Sequence, residues 1–166
     1  MTSLRRRTAH GAAAGAAGTT ALNAVTYLDM AIRARPASDT PQQAVATLAT
    51  KTGHPVPGHD EEKDNRLGGL GPLTGTITGV GIGVLAGLCA PGLRRLPGPV
   101  AAALIGLAAM AATDGPLALL HVTDPRKWSA TDWVSDLIPH LAYGVVTYAT
   151  LRATTARAPK RWSPTV

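Results

Sequence analysis

The sequence predicts an all-α integral membrane protein: a bundle of four transmembrane helices with a short amphipathic helix in the first outer loop. Three observations predict this class. Long segments rich in Ala, Gly, Leu and Val alternate with short, strongly polar segments. Each apolar segment is close to the roughly 20 residues that an α-helix needs to cross a bilayer. Most of the basic residues flank these segments instead of lying within them.

The predicted spans cover residues 9–32, 73–90, 99–120 and 130–151 of a single membrane domain, residues 1–152. Alanine and glycine dilute the leucines in every span, which favours helices that pack against one another over lone anchors. Residues 153–166 are predicted to be a basic cytoplasmic tail, in which Trp162 is a candidate interfacial anchor.

The start of the chain has an alternative interpretation. The run Arg5–Arg7 followed by alanines resembles a secretory signal, even a twin-arginine one. However, the apolar stretch continues to Ile32, and no clearly placed small-x-small cleavage site ends it. We therefore predict an uncleaved first helix and keep a cleaved signal as the alternative.

The predicted outer loop, residues 33–72, contains signals for one short helix. Thr40 is a candidate N-cap, with Pro41 at the first helical position and Gln43 completing a capping box. Apolar residues then recur at i, i+3 and i+4, and Gly53 is predicted to end the helix. This pattern is typical of an amphipathic helix lying at a membrane surface.

The rest of that loop, His54 to Arg66, is rich in Pro, Gly and charge and is predicted to be an irregular connection. His54 and His59 lie close to Asp60 and its acidic neighbours, a set that would hold a metal only weakly. A solvated charged segment is the preferred interpretation.

The basic residues predict the orientation. With both termini on the cytoplasmic side, nine basic residues lie inside, beside helix ends, and seven lie outside. The positive-inside rule favours this arrangement, which predicts a multi-pass membrane protein with both termini in the cytoplasm. All ten acidic residues then fall on the outer side or in the outer halves of helices.

The net charge of +6 would also suit a nucleic-acid-binding protein. The basic residues flank apolar segments, however, and the chain has neither an RNA-binding aromatic motif nor zinc-finger spacing. We exclude nucleic acid as a partner and predict the lipid bilayer instead, because basic residues in these positions contact lipid headgroups.

Glycines recur every four residues along the second predicted span. One helix face therefore lacks side chains, and another helix backbone can approach it closely. The first span carries a matching ridge of Gly11, Gly15 and Gly18. The pattern predicts close packing within the bundle, a homo-oligomer, or contact with a larger membrane complex. GC-rich coding is the alternative explanation for the abundance of glycine. The glycines of the series are Gly71, Gly75, Gly79, Gly83 and Gly87.

Polar residues within spans are costly in lipid and are candidates for function. The predicted topology brings eight of them toward the outer end of the bundle. Four of the eight share one face of the fourth span, at i, i+4, i+8 and i+11. The eight candidates are Asn23, Tyr27, Asp29, Asp114, Asp132, Asp136, His140 and Tyr143.

Three interpretations of this cluster remain open. The residues can form a structural network of hydrogen bonds and ion pairs, a proton or cation relay opening outward, or a metal site. A single metal would take Asp136 and His140 together with Asp114 or Asp29. A surface ion pair between Asp29 and Arg33, spaced i, i+4, is an alternative for Asp29.

Other chemistry finds little support in the sequence. Cys89 is the only cysteine, so one chain can form neither a disulfide nor a cysteine-based metal site. Gly-x-Ser-x-Gly, P-loop, dinucleotide and zinc-protease motifs are absent from the sequence. We predict no cofactor and do not favour an enzyme.

Within the fourth span, the segment from Trp133 to Gly144 resembles the closing helix of YagU-like inner-membrane proteins. These proteins pair an acidic residue with a histidine four positions later, as Asp136 and His140 are spaced here. The proline-containing segment from Arg35 to Pro41 is similar as well. The resemblance covers about a quarter of the chain. It implies a multi-span inner-membrane protein loosely connected with acid tolerance. Asp136 and His140 are the positions that correspond to the acidic residue and the histidine of these proteins.

The functional expectation is a structural or accessory subunit of a membrane assembly, built around an outward-facing Asp/His cluster. A proton- or cation-handling transporter or channel is the alternative, and a metal-dependent membrane enzyme comes third.

Overall fold

The structure is a computed structural model that describes residues 3–156. All regular structure in this range is helical. In chain order, the helices are α1 (Leu4–Arg33), α2 (Thr40–Lys51), α3 (Asp60–Leu88), α4 (Ala90–Leu93), α5 (Gly98–Leu119), a 3-10 turn (Pro125–Lys127) and α6 (Ala130–Ala156). The all-α prediction is confirmed.

The long helices cover the four predicted spans, apart from the last two residues of the second and the last residue of the third, and they extend beyond most of them. Helix α5 lies within one residue of its predicted bounds, whereas α1 begins five residues before residue 9. Helix α6 continues five residues past residue 151, so it includes the start of the predicted tail. The remainder of that tail, with Trp162, lies outside the described residues.

Helix α2 forms as predicted, but its capping differs. Asp39, not Thr40, occupies the N-cap position, and its side chain makes no capping hydrogen bond. The Thr40 backbone N–H instead donates to Ser38 Oγ at 3.2 Å, so the predicted capping box is wrong. Gly53 lies just beyond the helix with φ +77°, a conformation that glycine adopts without steric cost.

Helix α3 begins thirteen residues before its predicted span, within the segment predicted to be irregular. The prediction of an irregular connection is confirmed for residues 54–59 and wrong for residues 60–66, because it gives too little weight to charge placement. Asp60, Glu61 and Glu62 occupy the first turn, where carboxylates interact favourably with the helix dipole. Glu62 also pairs with Arg66 one turn later, at 2.7 Å.

Helix α1 packs against both α3 and α6, and α6 packs against α5. Helix α2 lies against the first half of α3. There, a Cβ added to Gly71 would lie 3.1 Å from the Gln42 backbone nitrogen. Helix α2 therefore rests on the helix that follows it.

The interior of the bundle is built mainly from small residues. Half of the buried hydrophobic residues are alanines, and the largest fully buried side chains are Tyr143 and Thr147. Among the described residues, only three leucines, isoleucines or valines are buried and sixteen are exposed; Ile77, for example, is 64% exposed. A soluble helical bundle has the opposite arrangement, with its large apolar side chains in the core.

Among the described residues, α3 and α5 are both long and apolar enough to cross a membrane. Helices α1 and α6 are long as well, with 30 and 27 residues, but they carry more polar residues. The structure thus supports two candidate spans by length and composition.

Candidate functional site

Helices α1 and α3 meet at glycines from both sides. A Cβ added to Gly11 would lie 2.6 Å from the Gly83 carbonyl oxygen, and one added to Gly15 would lie 2.6 Å from that of Gly79. Neither position has room for a side chain, because the obstacle is backbone. The absence of side chains is therefore what allows the two helices to lie this close.

The five glycines predicted to form one face have three different environments. Gly79, Gly83 and Gly87 face α1. Gly71 faces α2, whereas a Cβ on Gly75 would have no neighbour within 4 Å. Most of the pattern is thus explained by packing within one chain, and contact with a second copy stays a prediction.

Tyr143 was predicted to belong to the polar cluster, but it lies in the core where α6 meets α1 and α3. It is 1% exposed, and its hydroxyl donates to the Gly79 carbonyl oxygen at 2.6 Å. One turn later, the Thr147 hydroxyl donates to the Ala14 carbonyl oxygen at 3.4 Å. Both side chains hydrogen-bond to backbone carbonyls of neighbouring helices, a structural role.

A second glycine contact joins α5 and α6. A Cβ on Gly106 would lie 2.6 Å from the His140 carbonyl oxygen, and one on Gly144 would lie 2.6 Å from the Gly106 nitrogen. Sequence reasoning missed this pair because neither glycine belongs to a series of glycines spaced four residues apart. Its importance here is that it holds the backbone at His140 directly against α5.

His140 is the centre of the polar group between α5 and α6. It is 6% exposed. Its Nδ1 lies 2.8 Å from the Asp136 carbonyl oxygen, and its Nε2 lies 3.3 Å from the Thr113 hydroxyl on α5. Sequence reasoning did not single out Thr113, although it directly precedes Asp114.

Two arrangements of protons satisfy this geometry. In the first, His140 is doubly protonated, and both ring nitrogens donate, to the Asp136 carbonyl and to the Thr113 hydroxyl. The Thr113 hydroxyl can then donate to the Met110 carbonyl oxygen, 2.9 Å away. In the second, His140 is neutral, and Thr113 turns its hydrogen toward Nε2. A change in proton occupancy therefore requires only rotation of one hydroxyl.

Two carboxyl groups adjoin the ring. Asp136 Oδ2 lies 3.4 Å from His140 Nδ1, is buried, and has no hydrogen-bond partner among the described residues. The Asp114 carboxyl lies within interaction range of Asp136 and of His140. Two neighbouring carboxylates in a site of low polarity repel each other unless a proton or a cation lies between them. We call Thr113, Asp114, Asp136 and His140 the α5–α6 polar group.

Asp132 does not join this group. Its Oδ2 accepts hydrogen bonds from the Ser129 backbone N–H at 2.9 Å and from the Ser129 hydroxyl at 2.7 Å. Ser129 Oγ in turn accepts from the Asp132 backbone N–H at 3.2 Å. The two residues form a capping box at the start of α6, and the Ser-x-x-Asp spacing in the sequence was its signal.

The candidates on α1 also lie apart from the α5–α6 polar group. Asp29 pairs with Arg33 at 3.3 Å and with Arg35 at 2.6 Å, so its alternative interpretation as a surface ion pair is the one that fits the geometry. Tyr27 is 62% exposed, and Asn23 is partly buried. The eight predicted residues thus divide into separate environments, and only Asp114, Asp136 and His140 come together.

The end of α1 borders a groove of about 400 Å³ against the first turns of α6. Asp29 and Arg33 line it from α1, and Val134, Ser135 and Ile138 line it from α6. An Arg33 Nη1 to Ser135 Oγ hydrogen bond links the two helices. The groove is mostly apolar, and Asp29 and Arg33 are its charged lining residues.

The short connection before α6 is held by local contacts. Hydrogen bonds from Arg126 hold the pKa of the Asp124 carboxyl below its usual range, with Lys127 adding a weaker attraction. The Trp128 indole donates to the Thr123 hydroxyl at 2.9 Å and stacks edge-on against Trp133, with 5.0 Å between ring centres. These contacts fix the entry of α6 beside the groove.

The metal interpretation finds no support in the geometry. Within residues 3–156, no three His, Cys, Asp or Glu side chains are arranged to hold a metal ion. Asp114, Asp136 and His140 therefore do not form a ligand set, although they are neighbours. The proton-relay and structural interpretations of the same residues need no such arrangement.

Comparisons of this chain with protein-family models, with curated proteins and with solved structures find no match. The resemblance of the fourth predicted span to YagU-like proteins stays a prediction.

Proposed function

We propose that this chain is a four-span protein of the bacterial inner membrane, with both termini in the cytoplasm, that acts as a structural or accessory subunit of a membrane assembly. One observation carries the proposal: glycine and alanine fill the interior, while large apolar side chains cover the outside. In water this arrangement would leave the apolar surface exposed, which costs roughly 25 cal/mol per Å² relative to burying it. In lipid it costs nothing.

Every long helix contributes to the apolar outside. On α6, for example, Val134, Ile138 and Val145 are each more than half exposed. The other helices carry similar side chains, which we propose face the acyl chains. They include Leu28 and Ile32 on α1, Leu73, Ile77 and Leu85 on α3, and Val100, Leu104, Leu107 and Leu119 on α5.

Packing supports four spans although only α3 and α5 are strongly apolar. Helix α1 follows α3 over several turns, from the Arg7–Gly87 contact to the Thr19–Gly79 contact. Helix α6 follows α5 in the same way. A helix of 22 residues is about 33 Å long, enough for ~30 Å of hydrocarbon, and the other three are longer. If α3 and α5 cross, their packed neighbours cross with them.

The accessory role rests on surface that one chain leaves open. Gly75 on α3 has no neighbour within 4 Å of an added Cβ. Helix backbones approach closely at such positions, and van der Waals contact then drives association in lipid. We propose that a partner subunit packs against this part of α3.

The mass of the particle, purified in mild detergent from the native host, tests the role. We expect co-purifying foreign subunits in fixed stoichiometry, and we expect Gly75→Leu to release them. Gly115→Leu, at an open glycine on α5, is the matched control and should retain them. A particle containing only copies of this chain would contradict the accessory role.

A second function, proton handling, is favoured by the α5–α6 polar group. Its buried Asp136 oxygen and the two proton arrangements around His140 are features of a proton acceptor. Proton uptake into vesicles that contain the purified protein tests it. Stable Asp136→Asn protein without uptake would support a relay, whereas wild-type protein without uptake would contradict it.

A further inference from the structure

The groove between α1 and α6 combines two chemistries. Arg33 presents its guanidinium next to the Ser135 hydroxyl. Apart from Asp29, the other lining residues are uncharged, and they include Val134 and Ile138, one turn apart on the same face of α6 and each about half exposed. A ligand that fits this lining has a polar head and an apolar chain.

Arg33 retains the donors that an anion needs. Among the described residues, its hydrogen bonds to Asp29 and Ser135 all use Nη1, which leaves Nε and Nη2 for another acceptor. The side chain is 39% exposed. Two parallel N–H donors of a guanidinium match a phosphate, which binds them in bidentate fashion.

The charges around Arg33 allow an anion to enter. Arg35 donates from Nε to Asp29 Oδ2 at 2.6 Å, so the Asp29 carboxylate is shared between two cations. The other nearby carboxylate, Asp132, is held in the capping box by Ser129. Both carboxylates are thus engaged, and neither accepts a hydrogen bond from Nε or Nη2 of Arg33.

We propose that this groove binds a phospholipid of the outer leaflet, with its phosphate on Arg33 and the upper part of one acyl chain along Val134 and Ile138. The proposal rests on the proposed membrane location. The groove is continuous with the apolar surface of α6, so a bound chain stays in contact with other lipids. At about 400 Å³ it accommodates the phosphate, the glycerol and the start of one chain.

Native mass spectrometry of the delipidated full chain with phosphatidylglycerol in detergent tests the site. Arg33→Gln removes the guanidinium and its charge, and Val134→Trp fills the groove. We expect Arg33→Gln to weaken binding about tenfold or more, since hydrogen bonds to charged groups contribute that much. We expect Val134→Trp to weaken binding as well, because the indole occupies the space of the acyl chain. Arg95→Gln, in the connection after α4, and Val145→Trp, at an exposed valine farther along α6, are the matched controls and should bind like wild type.

Equal binding by both groove variants and wild type would overturn the proposal. Inorganic phosphate is the second probe: if it displaces the lipid, and if Val134→Trp binds lipid normally, the groove is an anion site without acyl recognition, which also overturns it. Resistance of each variant to extraction by alkaline carbonate is measured on the same membranes. Variants that remain in the membrane but bind lipid normally contradict the lipid site alone; extraction of wild type contradicts the proposed membrane location.

Discussion

Replacing Gly83 by alanine is expected to destabilise the bundle by about 1–3 kcal/mol, the usual effect of overpacking a tight contact. The added Cβ would lie 2.5 Å from the Gly11 carbonyl oxygen and closer still to the Gly15 backbone. Neither obstacle is a flexible side chain, so α1 and α3 must move apart. The free energy of unfolding, measured in mixed micelles, reports the change.

Gly81→Ala is the matched control. Gly81 lies on the same helix, two residues earlier, and has open space where its Cβ would be. Alanine has the higher helix propensity, so this change should stabilise the protein slightly, by up to about 1 kcal/mol. The two substitutions are therefore expected to differ in sign. Equal effects would contradict the α1–α3 glycine contact.

Replacing His140 by leucine is expected to have the second largest effect, also about 1–3 kcal/mol of destabilisation. Leucine fills the buried volume but cannot hydrogen-bond to Thr113 or to the Asp136 carbonyl oxygen, and it removes the ring nitrogen that lies 3.4 Å from Asp136 Oδ2. An unpaired buried polar group is costly by this amount. The measurement is again the free energy of unfolding.

A double-mutant cycle separates the pair from other contributions. If His140 stabilises Asp136, the variant carrying both His140→Leu and Asp136→Asn should lose less than the sum of the single losses, by about 1 kcal/mol. Asp64→Asn, at an exposed position on α3, is the control that should add to His140→Leu without coupling. Strict additivity for both combinations would show that the two side chains act independently.

The main elements of the fold were predictable because they depend on local signals. Apolar segments near 20 residues long marked α1, α3, α5 and α6, and Pro41 together with Gly53 marked the ends of α2. The start of α3 was missed because charged residues in a helix that extends past an apolar segment look like a loop. Its stabilising signals, the acidic first turn and the Glu62–Arg66 pair, are weak individually.

The site was harder to predict because the rotation of α6 about its own axis, relative to the neighbouring helices, decides which residues meet. Residues at i, i+4, i+8 and i+11 share one face of α6, yet this face meets different parts of the structure along its length. Asp132 closes a cap, Asp136 and His140 meet α5, and Tyr143 reaches α3. The spacing of residues within one helix gives no information on where the other helices lie. Gly106, in contact with His140, was likewise invisible to periodicity.

Labelling of single cysteines by a membrane-impermeant maleimide in intact cells tests the four-span topology most directly. In a Cys89→Ser background, the variants His54→Cys, Arg95→Cys and Lys127→Cys probe the three connections between the long helices. The four-span topology predicts labelling from outside at positions 54 and 127, and labelling at position 95 only after the cells are opened. Outside labelling at all three positions, or at position 95 alone, would contradict it.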